Sequence, residues 1–224
     1  MPRTDYQEKL DALREDVLFM SDVVAERLTM GLDALEQQDA ELGEEVISRD
    51  DEVNELYLEL EKDCTDLIAL QQPVAGDLRF IAASFKIITD LERIADLATN
   101  LGRYARQADR RVFPDVDVQQ IGRKTLTMLE TAMETYERED ADACYEVDEM
   151  DEELDELCET ASETVVRELI RSDQFEDEAK QEALMQAVSR LLLTIRDLER
   201  VGDHCVNVAA RSLYMIENDD ELLY

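Results

Sequence analysis

The chain has 224 residues, of which 45% are hydrophobic, and its 57 acidic and 23 basic side chains give a net charge of −34. This hydrophobic fraction is enough to build a core, which argues against a disordered acidic protein. The negative charge opposes contact with DNA, so we expect no direct DNA binding. No stretch approaches the roughly 20 apolar residues of a membrane helix, so we also expect no membrane insertion.

Carboxylates are abundant in the sequence and lysines are scarce, which is typical of a protein in concentrated salt, where ions screen self-repulsion. We interpret the chain as a cytoplasmic protein of an extreme halophile, with an ordinary acidic protein as the alternative. The N-terminus has no apolar signal core. The four cysteines form no Cys-x-x-Cys pair, so we expect them to be buried and reduced.

The first predicted element is an amphipathic helix whose apolar residues recur at intervals of three and four. The pattern Thr4-Asp-Tyr-Gln7 predicts a capping box at its start. We expect the helix to end near the stretch EQQDAE, where Asp39 would cap the next helix. The recurring residues are Leu10, Leu13, Val17, Met20, Val24, Leu28, Gly31 and Leu35.

A second helix is predicted up to about Leu70, because Pro73 disfavours helical backbone in the residue before it. A third helix follows and ends near Arg106. Three prolines, six glycines and no alternation of strand type in the whole chain predict an all-α protein.

The third helix contains a motif that the chain repeats: TDLERIADLATN at 89–100 and RDLERVGDHCVN at 196–207, an offset of 107. Upstream, two further pairs match at an offset of 101: QDAE with EDAD, and DDEVNEL with DEELDEL. The six-residue difference between these two offsets lies in the connection between the second and third helices, where a longer loop lowers stability only slightly. We predict two tandem, pseudo-symmetric three-helix bundles, residues 4–107 and 115–219, with six helices in all. They would meet end to end, separated by a linker at 107–117.

Oxygen-bearing side chains spaced at four residues form one stripe on each motif helix. Each second helix carries a further pair that would face the stripe if the two helices are antiparallel. A cation would turn the repulsion between such carboxylates into attraction, and an all-oxygen set suits Fe, Mn, Mg or Ca. The candidate metal ligands are Asp50, Asn54, Glu92, Asp96 and Asn100 in the first repeat, and Asp151, Asp155, Glu199, Asp203 and Asn207 in the second.

The alternative is a solvated acidic face, since acidic residues four apart are common in so acidic a chain. Two observations favour metal: the duplication, and the small Ala95 and Gly202 before the second acid of each stripe. Because Asn54 replaces an acid, we predict that the second cluster binds a cation more tightly than the first.

No catalytic residues are predicted, and the chain is interpreted as a non-enzyme. His204 is the only histidine, which excludes the two Glu-x-x-His motifs of a ferritin-like di-iron site. It is interpreted as a polar residue of the bundle. Ser-His-acid sets, phosphate-binding glycine loops and His-Glu-x-x-His are missing from the sequence.

One stretch is locally basic. It could receive a phosphate, a nucleotide or an acidic partner, or it could simply complement the dipole at a helix C-terminus. Its members are Arg103, Arg106, Arg110, Arg111, Arg123 and Lys124.

Two segments resemble the signatures of the PhoU family, the accessory proteins of phosphate uptake. They are QPVAGDLRFIAASFKIITDLERIADLATN and LLLTIRDLERVGDHCVNVA. The likeness extends over essentially the whole chain. One departure is Ile-Ala-Asp in the first copy, where the family favours Ile-Gly-Asp.

The resemblance implies a pair of three-helix bundles and a negative regulator of phosphate uptake and homeostasis. Such a regulator would dock to the ATPase subunit of the phosphate ABC transporter and, in bacteria, to a sensor kinase. The resemblance also implies a homodimer and, as in some members, multinuclear iron or zinc clusters on the acidic motifs, with Mg or Mn as further options. The alternative function is a metal-storage or metal-dependent hydrolytic helical bundle.

Overall fold

In a computed structural model, which describes residues 3–70, 73–107, 116–171 and 178–223, the protein is helical and contains no strand within those ranges. The helices are α1 (Arg3–Gln37), α2 (Ala40–Ser48), α3 (Asp50–Leu70), α4 (Ala75–Arg106), α5 (Val118–Arg138), α6 (Ala141–Arg171), α7 (Glu178–Glu217) and a final 3-10 turn (Glu221–Leu223). The all-α prediction is confirmed.

Most helix ends lie where the sequence predicts them. Asp39 caps α2, and its carboxylate accepts hydrogen bonds from the backbone N–H groups of Glu41 and Leu42 at 2.9 and 3.0 Å. The capping box at Thr4 is wrong, because α1 already begins at Arg3 and Thr4 lies inside it. The predicted linker, 107–117, lies largely outside the described residues.

The second predicted helix is interrupted at Arg49, so that it forms two helices, α2 and α3. The interruption accompanies a close crossing of α2 over α4. A Cβ atom on Gly43 would lie 2.7 Å from the carbonyl oxygen of Gly102, and one on Gly102 would lie 2.8 Å from that of Gly43. In the second repeat Cys144 and Ala209 stand at the corresponding positions, and α6 runs without a break.

The apolar faces of the helices form the core. Leu91 and Ile94 of α4 are fully buried, as are Leu198 and Val201 of α7. All four cysteines are buried and unpaired. Burial raises the pKa of the Cys64 and Cys158 thiols to about 12, so both stay protonated.

Helices α1–α4 form one bundle and α5–α7 the other, and the two pack side by side along α4 and α7. The expected end-to-end arrangement is therefore wrong. It fails because α4 and α7 bury residues both toward their own bundle and toward each other. Tyr136 of α5 adds a second link, since its hydroxyl lies 2.7 Å from Ser84 Oγ on α4. Within the described ranges, no helix is long and apolar enough to cross a bilayer.

We predict that Gly102→Ala lowers the free energy of unfolding by about 1–3 kcal/mol, because the new methyl group meets backbone rather than a movable side chain. Alanine's better helix propensity, worth about 1 kcal/mol, works against this loss. Urea denaturation measures the difference.

Gly76→Ala is the matched control, since a Cβ atom there meets nothing within 4 Å. It should leave the protein as stable or slightly more stable. Equal changes in the free energy of unfolding for the two substitutions would contradict the close contact between α2 and α4 at Gly43 and Gly102.

Candidate functional site

The two motif copies meet in a reciprocal pair of hydrogen bonds. The side-chain amide of Asn100 donates to Asp197 Oδ2, and that of Asn207 donates to Asp90 Oδ1, both at 3.2 Å. Corresponding residues of the two repeats thus exchange the same contact. This exchange makes α4 and α7 antiparallel, related by a pseudo-twofold axis perpendicular to the plane that contains them.

Both aspartates of this seam are buried, at 8% and 5% exposure, so each needs partners for its charge. Asp90 Oδ1 also lies 2.8 Å from His204 Nδ1, and Asp197 Oδ2 accepts a hydrogen bond from the Tyr104 hydroxyl at 2.9 Å. Burial and the bond to Asp197 raise the pKa of Tyr104 to about 12, which keeps it a donor. The sequence pattern did not predict that Asp90 and Asp197 join the two repeats, although these aspartates are the first residues of the two DLER strings.

The axis also fixes where the acidic stripes lie. Because it is perpendicular to the plane of α4 and α7, it leaves both stripes on the same side of the layer. Residues of one repeat therefore reach the stripe of the other. Burial and the Asp50 charge raise the pKa of Asp96, and the Arg200 guanidinium from the second repeat opposes this rise. The two candidate clusters are neighbours on one face of the molecule.

In the first cluster, the carboxylate of Asp50 already has partners. Asp50 Oδ1 accepts a hydrogen bond from Thr99 Oγ1 at 2.8 Å, and Oδ2 lies 3.5 Å from the amide of Asn54. Burial and then the neighbouring Asp50 charge raise the pKa of Asp96. Burial and then Asp96 raise the pKa of Glu92.

Nearby cations offset part of this repulsion in the first cluster. Arg103 and Arg200 act on Asp96, and Arg93 acts on Glu92. The protein's own basic and amide groups thus offset part of the negative charge of the first cluster.

The second cluster has no such compensation around Asp151. Val206 stands where the first repeat has Thr99, and Asp155 stands where it has Asn54. Asp151 Oδ1 is consequently buried without a hydrogen-bond partner. Burial, followed by the charges of Asp155 and Asp203, raises the pKa of Asp151 to about 7.

Gly202 explains how Asp151 comes so close to α7. A Cβ atom at this position would lie 2.7 Å from Asp151 Oδ1, so a side chain there would push the carboxylate away. Glu199 belongs to the same group, and its pKa is raised by burial and by Asp155 and Asp203, with Arg196 opposing. Four carboxylates of α6 and α7 therefore share one small region.

This arrangement matches the donor chemistry of a hard cation, because a buried carboxylate oxygen without a donor is what a cation would satisfy. Within the described residues, however, no three His, Cys, Asp or Glu side chains have the mutual spacing of a metal site. The carboxylates would have to rotate toward a bound ion. Asn100 and Asn207 lie at the seam instead, and Asn100 Oδ1 accepts a hydrogen bond from Arg103 at 2.6 Å.

The described members of the basic stretch are engaged within the chain. Arg106 forms a 2.6 Å ion pair with Glu44, Lys124 pairs with Glu153, and Arg123 lies 3.9 Å from Asp117. Arg110 and Arg111 fall outside the described residues. These pairings favour a structural role for the stretch.

Comparison with known proteins agrees with the duplicated geometry. The model of the PhoU domain family matches residues 17–105 and again residues 118–212. The chain belongs to the PhoU family. Each match covers one repeat, so the internal duplication corresponds to two copies of the family's domain.

The relatives match along nearly the full length. The phosphate-specific transport system accessory protein PhoU homolog of Clostridium acetobutylicum is 31% identical over 219 residues, covering 96% of both chains. The homolog of Pseudomonas aeruginosa is 32% identical over 221 residues, covering 96% of this chain and 86% of its own.

Solved PhoU structures superpose closely on this fold. The crystal structure of PhoU from Pseudomonas aeruginosa has a TM-score of 0.87 at 28% identity, covering 96% of this chain and 100% of its own. PhoU from Streptococcus pneumoniae has a TM-score of 0.86 at 23% identity, covering 96% and 98%, which supports the fold alone.

We predict that Asp151→Asn stabilises the metal-free protein above neutral pH. Between the ordinary aspartate pKa near 4 and its folded pKa of about 7, folded Asp151 holds a proton that the unfolded chain has lost. Its contribution to stability therefore falls as pH rises across that window and stays low above it. Asparagine cannot ionise, so the variant should unfold at a higher temperature at about pH 8 and behave like the wild type near pH 4.

Thermal unfolding in chelator measures this. Asp50→Asn is the matched control, because the Asp50 carboxylate already accepts a hydrogen bond from Thr99, so its replacement should stabilise the protein less at about pH 8. If the Asp151→Asn variant is less stable than the wild type at about pH 8, the claim that the charged Asp151 carboxylate lacks stabilising partners is wrong.

Proposed function

We propose that this protein is a non-catalytic regulator that lowers phosphate uptake when phosphate is plentiful, by docking to the ATPase subunits of a phosphate ABC transporter. A sensor kinase would be a further partner where the cell has one. The proposal draws on relatives that are named accessory proteins of the phosphate-specific transport system.

The observation that carries the docking mechanism is the reciprocal seam. The bonds from Asn100 to Asp197 and from Asn207 to Asp90 hold two related bundles in one layer with equivalent surfaces on the same side. A partner made of two related subunits, such as the paired ATPase subunits of an ABC transporter, can contact both surfaces at once. Two simultaneous contacts bind more tightly than one.

Docking alone can regulate transport. A protein that binds one transporter state better than another shifts the population toward that state by its difference in affinity. We infer that the favoured state is inactive in transport. No covalent chemistry is required of the regulator.

Deleting the gene should raise phosphate uptake and intracellular phosphate in phosphate-rich medium, because the inactive transporter state loses its ligand. Labelled phosphate uptake measures the first and extraction of cellular phosphate the second. Restoring the intact gene should return both to their former levels.

A different result would favour the alternative function. If deletion changes neither quantity and the purified protein hydrolyses a phosphoester, the regulator proposal is wrong and the hydrolytic bundle is right.

We further propose that the second cluster binds a metal ion, with Asp151, Asp155, Glu199 and Asp203 as its ligands. Support comes from the buried, unpartnered oxygen of Asp151 and from the absence of an amide or hydroxyl donor at the positions that Asn54 and Thr99 occupy in the first repeat. A bound ion would neutralise these carboxylates and cross-link α6 to α7 beside the seam. Iron, zinc, manganese and magnesium are the ions to test.

Asp203→Asn should remove more bound metal than Asp96→Asn, its counterpart in the first repeat, because the first cluster is already neutralised in part by Arg103 and Arg200. Elemental analysis after loading and dialysis measures the metal retained per chain. Equal losses from the two variants would contradict the ranking.

A further inference from the structure

Helices α1 and α5 lie side by side and antiparallel, and a cavity separates them along part of their length. Toward one end of the pair, the side-chain amide of Gln119 donates to the carbonyl oxygen of Leu32 at 2.9 Å. Toward the other end, the Arg14 guanidinium donates to the carbonyl oxygen of Tyr136 at 3.0 Å. The cavity, of about 230 Å³, lies between these two contacts.

The cavity is present in only one of two corresponding halves of this helix pair. Residues of α1 and α5 correspond at an offset of 101, so Ser21 matches Gly122 and Leu32 matches Met133. Leu32 packs onto Gly122 so tightly that a Cβ atom there would overlap its side chain. Ser21 has a side chain where Gly122 has none, and the space beside Met133 stays open. We call the half with Ser21 and Met133 the open half, and the half with Gly122 and Leu32 the closed half.

The open half combines an apolar floor with an acidic rim. Leu18, Leu129 and Met133 form the floor. The rim carries four carboxylates, and among the described residues no basic side chain lines the cavity. These carboxylates belong to Asp22 on α1 and to Glu130, Glu134 and Glu137 on α5. In the closed half, Arg123 stands at the position of Asp22. A ligand of the open half therefore needs both positive charge and apolar surface.

Ser21 adds a polar group that has no partner. It is only 7% exposed and lines the cavity. The buried Ser84 and Ser212 each donate a hydrogen bond to the carbonyl oxygen four residues earlier, at 2.8 and 3.0 Å. Within the part of the chain that the structure describes, the Ser21 hydroxyl forms no such bond. A buried hydroxyl without a partner is destabilising, so this group favours a ligand that can hydrogen-bond to it.

The spacing of the rim glutamates indicates the shape of the ligand. Glu130, Glu134 and Glu137 stand at i, i+4 and i+7, so they share one face of α5. The helical rise separates them along the axis by roughly 6 Å and then 4.5 Å. In a linear polyamine, four and three methylene groups separate successive nitrogens by roughly 6 Å and 5 Å, given bond lengths of about 1.5 Å. A row of ammonium groups on such a chain can therefore follow the row of carboxylates.

We propose that the cavity of the open half binds a linear polyamine of the spermidine class. The methylene groups pack against Leu129 and Met133, the ammonium groups pair with the rim glutamates, and one N–H donates to the Ser21 hydroxyl. A bare metal ion gains nothing from the apolar floor. The cavity is also smaller than the roughly 300–1,000 Å³ of sites for drug-sized ligands, which suits a thin chain.

One native cation competes at the rim. Arg138 pairs with Glu134 at 3.4 Å, and both side chains are more than half exposed. Exposed pairs of this kind contribute little to stability, so an ammonium group of the ligand can replace the guanidinium.

Isothermal titration calorimetry of spermidine into the full chain tests the proposal. One spermidine should bind per chain in the open half, with a dissociation constant that rises with KCl concentration. Ala25→Leu should raise this constant at least about tenfold, because Ala25 lines the cavity and the larger side chain fills it without changing the charge. Leucine already occupies the corresponding position of α5, Leu126, so the fold accepts it there. Thermal unfolding checks that the variant is folded.

A second pair of variants separates the site from the general attraction of an acidic surface. Glu130→Gln should raise the dissociation constant at least about threefold, because one ion pair is lost. Asp33→Asn is the matched control, since it removes one charge from the closed half at the position that matches Glu134. It should leave the constant unchanged. Equal weakening by these two variants, or full binding by Ala25→Leu, would overturn the proposal.

Trilysine distinguishes a free polyamine from a basic segment of a protein, because it presents ammonium groups on a peptide backbone. It should bind more weakly than spermidine. Tighter binding of trilysine that Ala25→Leu abolishes would overturn the assignment to a polyamine and assign the cavity to a basic peptide. This proposal does not depend on the regulatory function or on the second cluster, so each can fail without the others.

Discussion

The contact between the two motif helices is the constraint on which the rest of this structure depends. Two buried aspartates, Asp90 and Asp197, each accept a hydrogen bond from an asparagine of the opposite repeat. A buried carboxylate without such partners would destabilise the fold strongly. The pairing is therefore possible in one register only, in which the two halves of the chain lie antiparallel and level with each other.

This register determines how the two acidic stripes are arranged. The stripes lie side by side, and each is influenced by charges from both repeats. The repeats have nevertheless diverged at the positions that decide how a carboxylate is satisfied. Thr99 bonds to Asp50, whereas Val206 offers nothing to Asp151. One half of the duplication thus satisfies its buried aspartate, while the other leaves Asp151 Oδ1 without a hydrogen-bond partner.

Much of the fold could be predicted from the sequence, because helix periodicity and capping are local. The end of α1, the cap at Asp39 and the start of α4 after Pro73 all depend on residues within a few positions of one another. The repeat offsets also matched the structure, since both copies place an aspartate after a residue with positive φ at the turn before the second helix.

What could not be predicted depends on contacts between distant residues. The interruption at Arg49 accompanies the crossing of Gly43 and Gly102, which are far apart in sequence. The side-by-side packing of the bundles required knowing that Asp90 faces Asn207, and a pattern within one helix carries no such information. In the structure, the spacing of the stripes brings Asp96 close to Glu92 and Asp203 close to Glu199. The spacing did not predict that the side chains of Asn100 and Asn207 donate hydrogen bonds to Asp197 and Asp90 of the opposite repeat.

The placement of the first and last helices has a consequence for the topology. Gln7 and Leu10, near the start of α1, and Met215 and Ile216, near the end of α7, line one cavity of about 280 Å³. The first and last helices therefore come together, while the central packing of α4 against α7 holds the bundles independently of the order in which the chain visits them. A short bridge between the ends and an opening between α4 and α5 would give a circular permutant with the same core.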